Sequence, residues 1–136
     1  MKRLGTLGLL MMALLVLAGC GASPANQLAE GNEAYTAGDY DTAVQNYRAA
    51  QAIDPDAPEP IFNIANALYR QGLPSEAQKL LELAQDVLPA EAQALAQNIW
   101  FNLGNARYEA GQATAAVEAY KQALRLDPTD QDAKYN

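Results

Sequence analysis

One thiol and sixteen carboxylates are the side chains of this sequence that could take part in acid–base, nucleophilic or metal chemistry. The sequence contains no histidine. Closely spaced carboxylates can carry acid–base catalysis or bind a metal ion, and the clearest pairs are Asp39/Asp41, Asp54/Asp56 and Asp130/Asp132. A Ca²⁺ site needs about six oxygens that converge on one point, and these pairs alone do not provide them. No glycine-rich phosphate loop or serine triad pattern is present. We therefore predict no enzyme activity, no metal site and no cofactor, and interpret the acidic pairs as helix caps and turn residues.

The charge of the chain argues against a nucleic-acid partner. The formal net charge is −7, and two of the nine basic residues, Lys2 and Arg3, lie at the extreme N-terminus. An anionic surface repels nucleic acid and anionic lipid head groups, and no cluster of basic residues offsets this repulsion.

The residues before Cys20 offer the best explanation of this single cysteine. A basic start is followed by an apolar run from Leu4 to Leu17 and by the small residues Ala18 and Gly19. This order is typical of an export signal, and one cysteine cannot form an internal disulfide. The stretch from Leu4 to Cys20, roughly seventeen residues, is marginal for crossing about 30 Å of hydrocarbon, although an uncleaved membrane anchor is the alternative.

The run Leu17-Ala18-Gly19-Cys20 resembles the lipobox of bacterial lipoproteins. The resemblance implies a signal peptide at 1–19, a covalent lipid on Cys20 and a short tether at 20–25. The two or three acyl chains typical of this family hold a protein stably at a membrane, whereas one chain does so only reversibly. We therefore expect an extracytoplasmic protein that is lipid-anchored to a bacterial membrane. Because Gly21 is not the aspartate of an inner-membrane retention signal, the outer membrane is slightly favoured where two membranes exist.

A residue pattern that occurs three times, at about 24–57, 58–91 and 97–130, predicts the helices that would position binding residues. Each copy contains a small residue, a tyrosine, a glycine, an alanine, a bulky residue, an alanine and a proline in the same order. The members are Gly31, Tyr35, Gly38, Ala43, Tyr47, Ala50 and Pro55; Ala65, Tyr69, Gly72, Ala77, Leu81, Ala84 and Pro89; and Gly104, Tyr108, Gly111, Ala116, Tyr120, Ala123 and Pro128. The pattern indicates a helix, a tight turn and a second helix in each copy.

This pattern resembles the tetratricopeptide repeat (TPR), with Trp100 to Pro128 as the clearest copy. The resemblance implies an all-α fold in which three helical hairpins stack as a solenoid with a right-handed superhelix, within a domain that covers 26–136. The glycines at 38, 72 and 111 are expected to end the first helix of each hairpin in a left-handed conformation.

Two irregularities lead to further expectations. The interval from Pro89 to Pro128 is five residues longer than the interval before it, and the extra residues contain no turn former. We therefore predict one helix from about Ala90 to Ala110. Residues 129–136 restart the pattern for about one turn, as a truncated helix start. The last hairpin is thus expected to leave apolar surface bare, or to be covered by a partner, a second copy or further sequence.

In the TPR architecture the first helix of each hairpin lines a concave groove, and the resemblance places nine candidate partner-binding residues there. They are Asn32, Tyr35, Phe62, Asn66, Tyr69, Arg70, Phe101, Asn105 and Tyr108. An asparagine amide can donate to and accept from a peptide backbone, and tyrosine combines apolar area with a hydroxyl. The alternative is that these residues serve helix packing. TPR grooves that clamp a C-terminal carboxylate resemble one another in basic residues, and the matching positions here are Leu28, Asn98 and Asn102.

Two functions follow from these features. The first is a non-catalytic, membrane-tethered module that binds a protein or extended peptide in the groove, as an adaptor or assembly factor of the bacterial envelope. The alternative is a self-associating scaffold subunit, a homo-oligomer formed through the uncapped C-terminal hairpin and motivated by Trp100, Phe101 and the unfinished turn at 132–136. Sedimentation at several concentrations separates them, because a strict monomer excludes the scaffold.

Overall fold

The computed structural model describes residues 23–136, which form seven α-helices. Their bounds are α1 Pro24–Thr36, α2 Tyr40–Ile53, α3 Pro58–Arg70, α4 Pro74–Asp86, α5 Gln93–Glu109, α6 Ala113–Leu126 and α7 Gln131–Tyr135. The first six helices pair as three hairpins, and the predicted all-α hairpin solenoid is confirmed. The predicted signal peptide and Cys20 lie outside the described residues, so these predictions stay untested.

Each hairpin turns at the glycine that the repeat pattern indicated. Gly38, Gly72 and Gly111 have φ angles of 80°, 78° and 76°, in the left-handed region that glycine enters without steric cost. Proline begins α3 and α4, where its missing N–H group is not needed for a helical hydrogen bond. The predicted positions of the hairpin turns are therefore confirmed.

The two helices of a hairpin meet where a small residue faces a bulky one. A Cβ atom added at Gly31 would lie 2.5 Å from Cε1 of Tyr47, and one added at Gly104 would overlap the ring of Tyr120 in the same way. In the second hairpin an alanine, Ala65, shares a buried core with the smaller Leu81. The size of the small residue is therefore matched to its partner in each hairpin.

The hairpins stack in sequence, because α2 packs on α3, α4 packs on α5 and α6 packs on α7. A larger core joins the second and third hairpins and includes the fully buried Ile61, Leu81, Ile99 and Leu103. A smaller core joins the first hairpin to the second through Tyr47 and Ile64. Contacts between neighbours thus carry the stability of the stack, as expected of a repeat protein.

Helix α5 contains the extra residues of the third copy, but it begins later than predicted. It has 17 residues and starts at Gln93, three residues after the predicted start, because a turn at Ala90 and Glu91 precedes it. In this turn the Ala92 N–H donates to the Pro89 carbonyl at 3.0 Å. Leu88 before the turn and Leu95 after it both pack against the larger core. The prediction of a longer helix was right, and that of an uninterrupted run from Ala90 was wrong.

The acidic pairs occupy the helix starts and turns that we predicted for them. The carboxylates of Asp39 and Asp130 cap α2 and α7, since they accept hydrogen bonds from the backbone N–H groups of Thr42 at 3.1 Å and Ala133 at 3.0 Å. Hydrogen bonds from Thr42 hold the pKa of Asp39 below its usual value. Within residues 23–136, no group of three or more acidic, cysteine or histidine side chains could hold a metal ion.

The last hairpin is partly covered by α7. Ala133 of this short helix is buried, while Val117 and Leu126 of α6 remain 46% and 42% exposed. Trp100 packs against the larger core, and the ring centre of Phe101 lies 5.9 Å from that of Tyr120. Two residues that motivated self-association thus pack within the chain, and self-association stays a prediction. In the part of the chain described here, no helix has both the length and the apolar character needed to cross a bilayer.

Candidate binding groove

A cavity of about 230 Å³, which we call the central pocket, lies where the first helices of the three hairpins meet. It is lined by Tyr35, Ala65, Asn66, Tyr69, Arg70, Leu81, Asn102 and Asn105. Five of the nine predicted groove residues therefore share one cavity, and each hairpin contributes at least one of them. The buried Leu81 of α4 forms the apolar floor.

A second cavity of about 350 Å³, the C-terminal pocket, adjoins the first. Its lining residues are Tyr69, Asn105, Tyr108, Glu109, Tyr120, Tyr135 and Asn136. Tyr69 and Asn105 line both cavities, so the two pockets form one continuous groove. Tyr108 contributes to this second pocket rather than to the first.

The other three predicted residues lie away from these two pockets. Asn32 lines a separate, open depression on the first hairpin together with Thr36. Phe62 is partly buried against the larger core, and Phe101 packs on the ring of Tyr120. The structure gives these three residues packing or peripheral positions, and their role in binding stays a prediction.

Asn32 and Asn105 are each held by a tyrosine of the second helix of their hairpin. The Tyr47 hydroxyl donates to Oδ1 of Asn32 at 2.8 Å, and the Tyr120 hydroxyl donates to Oδ1 of Asn105 at 2.7 Å. Burial raises the pKa of both phenols, and neighbouring tyrosines raise it further. The hydroxyls therefore stay protonated and remain donors at neutral pH.

The asparagine of the second hairpin needs a different donor, because the bulky residue of α4 is Leu81 instead of a tyrosine. Asn102 supplies it: its Nδ2 donates to Oδ1 of Asn66 at 2.7 Å, across from α5 to α3. Sequence reasoning treated Asn102 only as a replacement for a basic residue and so missed this role. Two signals were available, the missing hydroxyl at Leu81 and the spacing that puts Asn98, Asn102 and Asn105 on one helix face.

These hydrogen bonds determine what the groove offers to a ligand. In residues 23–136, the Nδ2 groups of Asn66 and Asn105 have no protein acceptor, whereas their oxygens already accept one hydrogen bond each. The sequence interpretation expected these amides both to donate to and to accept from a peptide backbone. In the structure Asn66 and Asn105 therefore present amide donors to the groove, which suit the carbonyl oxygens of a peptide.

Each pocket contains one charged residue among its lining residues. In the central pocket this is Arg70, whose guanidinium lies 5.6 Å from the ring centre of Tyr40 on the first hairpin. The Tyr40 ring in turn meets Tyr35 edge to face, with 5.4 Å between ring centres. In the C-terminal pocket the charged residue is Glu109. The groove is therefore positive toward the first hairpin and negative toward the third.

Arg107 of α5 lies outside both pockets. Its Nη2 atom is 3.2 Å from Oε1 of Glu82 on α4, and Nη1 donates to the Ala115 carbonyl at 3.3 Å. Gln78 also donates to Glu82, at 3.0 Å. Arg107 therefore joins α4, α5 and α6 and is not a groove residue.

Comparison with known families gives two matches along the chain. Residues 31–72 match a family described as TPR repeat, and residues 98–130 match one described as Tetratricopeptide repeat. Together the matched segments include parts of all three hairpins.

Two curated relatives show similar identity. The small glutamine-rich tetratricopeptide repeat-containing protein 2 of Mycosarcoma maydis is 32% identical over 106 residues, which are 78% of this chain and 29% of that protein. The heat-shock protein cognate co-chaperone sgt12 of Aspergillus fumigatus is 32% identical over 98 residues, 72% of this chain and 27% of that protein. This chain therefore spans less than a third of the length of either relative.

Solved structures agree on the fold. The first TPR of Spaghetti (RPAP3), bound to an HSP90 peptide, superposes with a TM-score of 0.75 at 23% identity and covers 82% of this chain and 85% of that one. At this identity the likeness shows the shared fold alone.

Proposed function

Because this chain contains tetratricopeptide repeats, we propose that it is a non-catalytic module that binds an extended segment of a partner protein along the central and C-terminal pockets. One observation carries the proposal: Tyr35, Asn66 and Asn105 come from three different hairpins and line one cavity. An extended peptide exposes backbone carbonyl groups at regular intervals, and the amide N–H groups of Asn66 and Asn105 can donate to them.

The relatives support a peptide partner, and the groove residues suggest which kind. The Spaghetti TPR structure contains an HSP90 peptide, and sgt12 is named as a co-chaperone. A terminal carboxylate is bound most tightly by several positively charged hydrogen-bond donors. Among the residues lining the central pocket, Arg70 is the only cation. Arg70 also lies over Tyr40. We therefore propose an internal, extended segment as the ligand, rather than a free acidic C-terminus.

The lipobox supports a membrane-tethered version of this function. A lipid on Cys20 would hold the chain at the outer face of a bacterial membrane, with a preference for the outer membrane where two are present. Helix α1 begins at Pro24, and four extended residues reach at most about 14 Å. The groove would then lie close to the bilayer, within reach of envelope proteins, and the protein would act there as an adaptor or assembly factor.

We expect the Cys20→Ser variant to contain no covalent acyl groups, because the thiol is the attachment atom. Fractionation and intact mass of the membrane-bound protein measure this, and the wild-type mass should include the covalent acyl groups. A membrane-bound wild-type protein whose intact mass includes residues 1–19 and no acyl groups would contradict the lipid anchor and favour the uncleaved apolar anchor. Ser23→Ala, which changes only the cap of α1, is the matched control.

We expect the double variant Asn66→Ala/Asn105→Ala to weaken capture of the partner by about fivefold to a hundredfold, since two charge-neutral hydrogen bonds contribute about 0.5 to 1.5 kcal/mol each. The measurement is affinity capture from bacterial envelope extracts, with the full chain in nonionic detergent as bait. Gln45→Ala is the control, because it also removes a side-chain amide, but Gln45 is exposed on α2, which lines neither pocket.

Circular dichroism of both variants should match the wild type, which separates a lost ligand from a lost fold. Unchanged capture by a folded Asn66→Ala/Asn105→Ala protein would remove the groove from consideration. Equal loss in Gln45→Ala would show that the effect does not come from the groove.

A further inference from the structure

We infer that the C-terminal pocket binds a lysine or arginine side chain of the segment that occupies the groove. This inference rests on the proposed function and specifies the chemistry of its ligand. It follows from the kinds of side chain that surround this pocket, which differ from those of the central pocket.

Aromatic rings form most of the wall of the C-terminal pocket. Four tyrosines line it: Tyr69 from α3, Tyr108 from α5, Tyr120 from α6 and Tyr135 from α7. The face of an aromatic ring carries negative potential and attracts a cation that lies within about 6 Å of its centre. Tyr108 and Tyr135 are 62% and 87% exposed, so their rings are accessible to an incoming side chain.

The charge of the pocket has the same sign as the ring faces. Glu109 is the charged member of its lining, and within residues 23–136 it forms no ion pair. Burial raises the pKa of Tyr69 and Tyr120, and the charge of Glu109 raises it further, so the carboxylate lies near both phenols. A bound cation would therefore meet an unpaired carboxylate and several rings together.

The neighbouring cations do not neutralise this pocket. Arg70 lines the central pocket, where its guanidinium lies over the Tyr40 ring. Burial and the charge of Glu109 raise the pKa of Tyr69, and the charge of Arg70 only opposes this rise. Hydrogen bonds from Thr129 lower the pKa of Asp127, and the positive charge of Lys134 lowers it further, so Lys134 is directed toward that carboxylate. The whole chain has a net charge of −7, which further favours a basic ligand.

A library of random octapeptides displayed on phage tests this inference with the full chain in nonionic detergent. Selected peptides should be enriched in lysine or arginine at one position, and a synthetic peptide from this set should bind measurably in calorimetry. Glu109→Gln should weaken that peptide about fivefold, and Tyr108→Ala by a similar factor, whereas Tyr108→Phe keeps the ring and should bind within about twofold of the wild type. Glu91→Gln is the charge-matched control, since Glu91 is exposed in the turn before α5.

The outcomes separate this inference from the proposed function. Peptides that depend on Asn66 and Asn105 but contain no enriched basic residue would overturn the cation site and leave the groove function standing. Equal weakening by Glu91→Gln and Glu109→Gln would also overturn it, because the effect would then be one of net charge. Failure to select any groove-dependent peptide would overturn the proposed function and this inference with it.

Discussion

Leu103→Ala should lower the free energy of unfolding by about 2 to 5 kcal/mol, which is a large part of the roughly 5 to 15 kcal/mol typical of a small domain. Leu103 is fully buried, at 0% exposure, in the core that the second and third hairpins share. Its removal leaves a cavity between two repeats, and a stack held by neighbour contacts cannot redistribute that loss to distant helices. Urea unfolding followed by circular dichroism measures the change.

The matched control for this prediction is Leu83→Ala. Leu83 lies on α4, which contributes Leu81 and Ala84 to the same core, but its own side chain is 42% exposed. The same atoms are deleted there with little cavity, so we expect a loss below about 1 kcal/mol. Equal losses in the two variants would show that the shared core does not hold the hairpins together.

The positions that glycine and proline occupy allowed the fold to be predicted in most of its parts. A positive φ at Gly38, Gly72 and Gly111 is a requirement that few other residues meet, so their regular spacing located the turns. The start of α5 was not predictable in this way, because residues 90–92 have no turn signature. Packing of Leu88 and Leu95 against the core decided that local conformation, and this is a tertiary effect.

The sequence predicted which residues line the groove better than it predicted the hydrogen bonds that those residues form. The repeat pattern placed Asn66 and Asn105 on the same face, and the structure puts both in the central pocket. The partners of their amide oxygens, Asn102 and Tyr120, lie on other helices, 36 and 15 residues away in the sequence. A one-dimensional pattern assigns a residue to a helix face, but the direction of its hydrogen bonds depends on which helix packs behind it.

The contribution of Glu109 and Tyr135 was missed for a related reason. Residues 129–136 were interpreted as an incomplete cap, whereas Tyr135 of α7 completes the wall of the C-terminal pocket. Glu109 occupies the position that Arg70 and Thr36 occupy in the other copies. This change of charge between repeats was visible in the sequence, but it had no meaning until the pocket beside it was known.

In the third hairpin, replacing the small residue Gly104 and the bulky residue Tyr120 by their counterparts from the second hairpin should separate packing from binding. Gly104→Ala alone should destabilise the protein by about 1 to 2 kcal/mol, because overlap with the Tyr120 ring outweighs the higher helix propensity of alanine. Tyr120→Leu alone should cost about 2 to 3 kcal/mol through lost buried area and the lost hydrogen bond to Asn105. The double variant recreates the Ala65 and Leu81 pair, so its cost should be smaller than the sum of the two by at least about 1 kcal/mol.

The double variant should still bind peptide poorly, because the oxygen of Asn105 loses the hydroxyl that fixes the direction of its amide. A further change of Leu81→Tyr with Ala65→Gly, which installs the other pairing in the second hairpin, provides the reciprocal control for stability. Strictly additive unfolding energies in both hairpins would mean that the match between small and bulky residues is accidental. Recovery of stability without recovery of binding would show that Tyr120 has two separable roles, one in packing the hairpin and one in orienting the groove.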